Sequence, residues 1–367
     1  MTSEDDAPDG RPDGSGEEPA ETERLGKVDD DFFADLIAPD LGADREDVSL
    51  GPAHGVDFGV VDVGDQALVT ATDPLSVLPA LGFERAGRFA VSFALSDVAV
   101  SGIAPSHVAV SLSLPTEMDR SEFAAFWDGL TAECADLGVA VVTGHTAQYP
   151  AASYPWVGAT TVFGVGDHAD VIRPDGARPG DDLVVTEGPA VETAGLLSTL
   201  FPEEFAALGA ETVADAQACL DRTGVTRDAR AAVTAAREAH GDTLAAPISA
   251  MHDATEGGLR GALCETAAAS GVRLDVTRER VPTDPAALAV ADHLGIDPWA
   301  CTTAGSLLLA VDPAATETVV AALEDRGTAA AAAGSVREGE GVRIDGERVE
   351  PPDEDPSWDA WATLDGA

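Results

Sequence analysis

Alternating apolar and polar positions first appear at residues 58–63 (FGVVDV) and 67–72 (ALVTAT), joined across Gly64 and Asp65, a spacing that predicts a β-hairpin. The preceding stretch VDDDFFADLIAPDLG reads as a short helix ended by proline. From Glu84 to Ser101 small and apolar residues fill nearly every position, and Gly102 stands where a helix C-cap belongs, so this helix is expected to be buried on most sides. The strand pattern HVAVSLSLP follows, then an amphipathic helix from Ser121 to Leu137, then VAVVTG and VGATTVFGVG. Strands alternating with helices behind a hairpin predict an α/β (α+β) domain ending near Asp170.

RPDGARPGDD is a Pro/Gly/Asp linker, and beyond it the order repeats in outline. DLVVTEG predicts a strand that leads into a helix-rich stretch to His240. HDATEGGLRGALCETAAASG then opens a helix on a glycine turn, followed by the strand VRLDV, a helix from Pro285 to Leu294, the strand SLLLAV and a helix near Ala314 to Asp325. VRIDGERV closes as a hairpin through Asp345 and Gly346. The expected organisation is a disordered acidic segment at 1–24, a first domain over 25–170, a second over 171–350, and a tail at 351–367 that frays.

Composition narrows the classes of function. The chain has 367 residues, and its 45% hydrophobic content is that of a protein with a real core. Against 66 acids stand 21 bases, a formal net charge of -45, which repels phosphate backbones and anionic lipid and so argues against nucleic-acid or membrane binding. The longest apolar runs, FAVSFAL and LLLAV, fall far short of the ~20 residues of a bilayer span. With no signal-peptide pattern, a soluble cytoplasmic protein is expected. Lys27 is the only lysine, and the acidic, arginine-biased surface suits concentrated salt, where self-repulsion is screened. Cys134, Cys219, Cys264 and Cys301 lie far apart without a CxxC pair, which reads as buried thiols.

Four stretches carry candidate chemistry. Asp57 heads the strand GVDFGVVDVG and Asp73 ends TATD, both at sheet rims where carboxylates can meet at one cation, although solvated turn acids look the same in isolation. Asp97 is the only charged residue between Arg88 and Pro105, so it must be paired, hydrogen-bonded or metal-bound to offset desolvation. Gly144, His145 and Thr146 end an apolar strand, where glycine admits a close approach of backbone to ligand; a solvated histidine is the plainer reading. In MHDATEGGLRGALCETAAASG, Thr255, Glu256, Gly257 and Gly258 stand where a helix begins, offering backbone N–H groups to phosphate oxygens or simply capping a helix.

In this order the four stretches resemble the superfamily of aminoimidazole ribonucleotide synthase (PurM-like), thiamine-monophosphate kinase, selenophosphate synthetase and the hydrogenase-maturation protein HypE. GRFAVSFALSDVAVSGIAP and HDATEGGL look most like HypE and its archaeal relatives. The resemblance implies a two-domain fold whose first domain dimerises through its sheet, with ATP and Mg2+ held between the domains of a homodimer. Carried over by position, Asp57, Asp73, Asp97 and Asp253 become metal ligands. Gly144, Thr146, His252, Asp253, Thr255, Gly257 and Gly258 become cofactor-binding, and Asp97 and His145 catalytic. The chain departs from the relatives at Val56, where they carry a second acid; at His145, where they carry an acid; and at Ser92 and Ser96, where they carry asparagine. The tail DPSWDAWATLDGA lacks the terminal cysteine that carries the reacting group in HypE. The function implied is ATP- and Mg-dependent activation of an oxygen of a small substrate by phosphoryl transfer, related to hydrogenase maturation. Phosphoribosylformylglycinamidine cyclo-ligase or thiamine-monophosphate kinase activity are alternatives within the class, and a non-catalytic nucleotide-binding scaffold or regulatory paralogue is the alternative outside it.

Overall fold

The hairpin at Gly64 and Asp65 sits near one edge of the first of two sheets, in a computed structural model that describes residues 26–28, 30–53, 55–240 and 247–366. The expected acidic segment at 1–24 lies outside these residues. Helix α1 (Asp30–Phe32) runs into a π turn at Phe33–Ile37 and stops before Pro39, as the proline requires. Strands β1 (Val48–Leu50), β2 (Gly59–Val63) and β3 (Gln66–Ser76) precede helix α2 (Phe83–Ala99). Strand β4 (Pro105–Leu114), helix α3 (Arg120–Leu137), and strands β5 (Ala140–Gln148) and β6 (Trp156–Asp167) complete this half. The strand order is β1-β2-β3-β6-β4-β5. Only β4 and β5 run parallel, because α3 carries the chain back between them.

Helix α3 starts on a capping box between Asp119 and Glu122 and ends at left-handed Gly138, both legible in the sequence. Helix α2 buries Ala86, Gly87, Phe89, Ala90, Val91, Ala94, Leu95, Ser96, Val98 and Ala99, matching the expectation of burial on most sides. Its neighbour is α3, and the two approach backbone to backbone. A Cβ on Gly87 would lie 2.1 Å from the Phe126 carbonyl oxygen, and one on Gly129 would lie 1.9 Å from that of Glu84.

The second sheet has the order β13-β12-β9-β11-β7-β10-β8. In chain order it is built from β7 (Asp182–Thr186), α4 (Val191–Leu200), α5 (Ala210–Ala218), α6 (Thr226–His240), β8 (Ile248–Ala254), α7 (Gly258–Ser270), β9 (Arg273–Val276), α8 (Pro285–Leu294), β10 (Ser306–Val311), α9 (Pro313–Glu324), β11 (Ala330–Arg337), β12 (Gly341–Ile344) and β13 (Glu347–Val349). Strand β11 is largely alanine, a residue with little preference for strands, yet it pairs with both β7 and β9. Tertiary pairing overrides propensity there. Strand β8 is an edge strand, but every residue in it is buried because α2 of the first half packs against it.

The two halves are stitched by polar contacts as well. The Val225 N–H donates to Ser96 Oγ at 3.1 Å, Arg85 donates to the Gln217 carbonyl at 3.0 Å, and Arg237 pairs with Asp170 at 2.9 Å. Ser96 therefore serves the seam between the halves.

The tail does not fray. Helix α10 (Pro356–Asp365) begins at Asp355, whose carboxylate caps Ser357 N, has proline in its first turn and ends at left-handed Gly366. Trp361 and Leu364 pack against a core that includes Val191, Phe205 and Val290. No helix among the described residues is long and apolar enough to cross a membrane.

The α2–α3 contact yields a test. Gly129→Ala places a methyl group into the Glu84 carbonyl and should destabilise the protein by about 2–3 kcal/mol, read as a lower denaturation midpoint, whereas Gly138→Asn at the exposed α3 C-cap should cost well under ~1 kcal/mol.

Candidate functional site

Asp57 lies in the loop that enters β2, and the turn before it depends on glycine. Gly55 has φ +69°, and a Cβ there would sit 3.0 Å from Glu265 Cβ, so the loop lies directly on α7 of the other half. Between the loop and α7 stands His252 of β8, which is buried. Its Nδ1 faces Asp57 Oδ2 at 2.6 Å and its Nε2 faces Glu265 Oε2 at 2.8 Å. Two carboxylates on two ring nitrogens require both nitrogens to donate, which makes the ring an imidazolium. Burial opposes that charge, but Asp57 and then Glu265 outweigh it and hold the pKa well above the ordinary histidine value.

Around this clamp the acids converge. Asp73 comes from β3 and Asp97 from α2, and the two share a hydrogen bond. Burial, followed by the fields of Asp73, Asp253 and Asp57, pushes the Asp97 pKa well above the usual carboxylate range. Asp253, next to His252, is 3% exposed, and its pKa is pushed to about 7 by burial and by Asp57, with His252 and Lys27 opposing. One of its oxygens, Oδ1, is buried with no hydrogen-bond partner. Ligand atoms of Asp57, His252 and Asp253 lie within 4.8 Å of one another.

This donor set fits a hard divalent cation, which takes carboxylate oxygens and would satisfy the orphaned Asp253 Oδ1. His252 is not a convincing ligand despite its proximity, since both its nitrogens are engaged; it orients Asp57.

Lys27 also belongs to the site. Its backbone N–H donates to both oxygens of Glu256 at 3.1 Å, and its ammonium lies 3.4 Å from Thr255 Oγ1. Desolvation opposes its charge, but Glu265, Asp57, Asp97 and Asp253 raise its pKa above the ordinary lysine value.

The turn from β8 into α7 is shaped by two left-handed glycines, Gly257 at φ +76° and Gly258 at φ +64°. A Cβ on Gly258 would fall 2.6 Å from the Cys301 carbonyl oxygen and 2.7 Å from that of Trp299. The turn's N–H groups have partners within the chain. Gly258 N donates to Thr255 O at 3.0 Å, Arg260 N to Trp299 O at 2.8 Å, and Gly257 N to Asp355 Oδ2 at 2.9 Å. Beneath the turn, Thr303 N donates to Thr255 O at 3.2 Å, and buried Glu192 of α4 accepts from Thr302 Oγ1 at 2.8 Å and Ala304 N at 3.0 Å.

Gly144, His145 and Thr146 are elsewhere. They lie exposed on β5, and the register runs from Asp73 through Thr160 and Val110 to Gly144, three strand spacings or roughly 14 Å across the sheet. Among the described residues His145 bonds Tyr149, with Nε2 3.4 Å from the hydroxyl. Within one chain, then, Asp57, Asp73, Asp97, His252, Asp253, Thr255, Gly257 and Gly258 come together and the β5 residues do not. Two strands, β6 and β4, intervene.

The sequence reading did not find Glu265, Lys27 or Asp355. Lys27 did carry a signal, as the only lysine of a very acidic chain. Glu265 follows Cys264 in the helix opened by the glycine turn and carried none.

Comparison with known proteins agrees with this architecture. Residues 55–165 match the N-terminal domain and residues 178–347 the C-terminal domain of AIR synthase related protein. A selenide, water dikinase of Citrifermentans bemidjiense is 31% identical over 71% of this chain and 69% of that protein. Carbamoyl dehydratase HypE of Rhizobium leguminosarum is 28% identical over 73% of each. The crystal structure of a hydrogenase maturation protein HypE in complex with ATP superposes with a TM-score of 0.64 at 21% identity, covering 91% of this chain and 97% of that one.

Glu192 provides a pH test of the layer under the turn. Burial raises its pKa from 4.5 to about 7 against the pull of Ala304 N and Thr302. The folded state therefore binds the proton more tightly than the unfolded state, and stability falls as pH rises from 4.5 towards 7. Glu192→Gln keeps an acceptor for both donors without the charge. Thermal unfolding should show it more stable than the parent above pH 7, by at most roughly 3 kcal/mol, with the difference gone below the unfolded value near 4.5.

Proposed function

Because the chain belongs to the AIR synthase-related family, we propose that it binds ATP with magnesium across the seam between its halves and uses it to activate an oxygen of a small substrate by phosphoryl transfer, in a role related to hydrogenase maturation. The observation that carries this reading is the meeting of Asp57, Asp73 and Asp97 from one half with Asp253 from the other, one of whose oxygens is buried without a partner, beside a glycine turn that opens a helix. The relatives named as a dikinase and a carbamoyl dehydratase support it, as does the ATP complex of a protein of the same fold.

In this reading Asp57, Asp73, Asp97 and Asp253 would hold the cation, which would supply positive charge towards phosphates that a cluster of acids otherwise repels. The protein's own residues do the rest. His252 fixes the Asp57 carboxylate, Glu265 fixes His252, and left-handed Gly257 and Gly258 make the tight turn that sets the Gly257 N–H beside Thr255 for a phosphate. Catalysis of this kind depends on positioning and charge stabilisation.

A second copy of the chain is the proposed partner. Strand β5 forms one edge of the first sheet; its residues Ala140 to Thr146 are all exposed, including Val142 at 54%. A second copy would cover this apolar edge, and Val142→Glu should shift sedimentation towards the monomer.

A reading without turnover is favoured by one detail. Val56 stands where relatives carry a second acid, and it packs against the hydrophobic core rather than adding an oxygen ligand. Calorimetric titration with ATP in the presence and absence of Mg2+, followed by assay for ADP or AMP, separates the two readings. The proposal requires magnesium-dependent binding that Asp97→Asn weakens at least ~10-fold, about 1.4 kcal/mol, with the fold intact by circular dichroism. Unchanged affinity removes Asp97 from the site, and tight binding without product favours the scaffold.

A further inference from the structure

Both ends of the described chain close on one residue. Glu256 accepts from the Lys27 backbone N–H near the N-terminus and from Trp358 Nε1 of α10 near the C-terminus, the latter at 2.6 Å. The neighbouring Gly257 N–H is taken by Asp355 Oδ2 at 2.9 Å, and Pro352 would be the nearest neighbour of a Cβ on Gly257, at 3.4 Å. A Cβ on Gly26 would strike Glu256 and come within 2.9 Å of Trp358 Nε1, so the three segments are in contact.

The charges of these ends match what the site is built to take. Asp355 places a carboxylate on the first N–H of the glycine turn, and Lys27 places an ammonium in the field of Asp57, Asp97, Asp253 and Glu265. The N–H groups of Gly258 and Arg260 are held by backbone carbonyls, Thr255 O and Trp299 O. Gly257 N–H alone among the three is held by a side chain, that of Asp355 in the tail. Ser357, though buried, donates to Asp355 at the start of its own helix, and Trp361 and Leu364 hold the tail by partly buried packing on the core.

We propose that the two chain ends form a clasp that fills the site with its own charges, Asp355 standing where a phosphate group binds and Lys27 beside the cation position, so that an incoming nucleotide must displace the tail. The inference rests on the proposed ATP reading. It makes the segment from Pro351 to Gly366 an internal competitor, and it gives the convergence on Glu256 a purpose beyond packing. Displacement trades one charge-assisted contact for several, so the clasp sets a threshold of ligand concentration without abolishing binding.

The test uses the full chain with MgATP as the probe. Asp355→Ser keeps a hydroxyl to cap α10 at Ser357 N yet is too short to reach Gly257, and Trp358→Phe removes the donor to Glu256 while keeping an aromatic ring. Calorimetric titration should show each variant binding MgATP at least ~3-fold more tightly than the parent. Hydrogen exchange in residues 352–366 of the parent should accelerate when MgATP is added. Equal or weaker affinity in both variants, or tail exchange unmoved by saturating MgATP, overturns the clasp and leaves the ATP reading standing. No binding by parent or variants overturns the ATP reading and the clasp with it.

Discussion

Crowding of like charge is the constraint on which this structure depends. Asp57, Asp73, Asp97, Asp253 and Glu265 are drawn from a loop, a strand and a helix of one half and from a strand and a helix of the other. Each would be costly to bury as an unpaired anion. The protein manages this with a hydrogen bond between Asp97 and Asp73 and an Asp97 pKa raised by burial, an imidazolium at His252 between Asp57 and Glu265, and the ammonium of Lys27. These devices leave one oxygen of the cluster, Asp253 Oδ1, buried without a hydrogen-bond partner, which is the position a cation takes on the proposed reading.

The same crowding explains why the halves must be rigidly joined. Helix α2 carries Asp97, packs its glycine face on α3, touches β8 where His252 and Asp253 sit, and receives the Val225 N–H through Ser96. A site made from both halves holds its geometry only if their seam does. Ser96 is short enough to sit in that seam and take the Val225 N–H, and Val56, beside Asp57, packs on the hydrophobic core.

Much of the fold was legible because its signals are local. The hairpins at Gly64 and at Asp345-Gly346, the buried α2, the capped α3, and the strands β7, β9 and β10 follow from periodicity and turn chemistry. Strand β11 was not legible, since alanine becomes a strand there only through its neighbours. Helix α10 was misread as fraying although Asp355, Pro356 and Gly366 are proper start and stop signals; acidic composition masked them. In the site, the acids around His252 are recognisable as motifs, but Glu265 and Asp355 enter through tertiary folding, and the sequence carries no sign that Gly144, His145 and Thr146 lie three strands from Asp73 within one chain.

Net charge then decides how such a site can meet an anion. A chain of -45 offers a triphosphate no long-range attraction, and screening by salt only removes repulsion. Attraction must come from within a few ångströms, where the His252 imidazolium, the Lys27 ammonium, the N–H at Gly257 and, on the proposed reading, a divalent cation are the local positive groups. On the proposed clasp, the closed ends set the Lys27 ammonium among the acids and take the Gly257 N–H, so opening them exchanges one local positive charge for a free N–H. On the proposed reading, cation binding and release of the ends act on the same electrostatic balance, and nucleotide affinity depends on both.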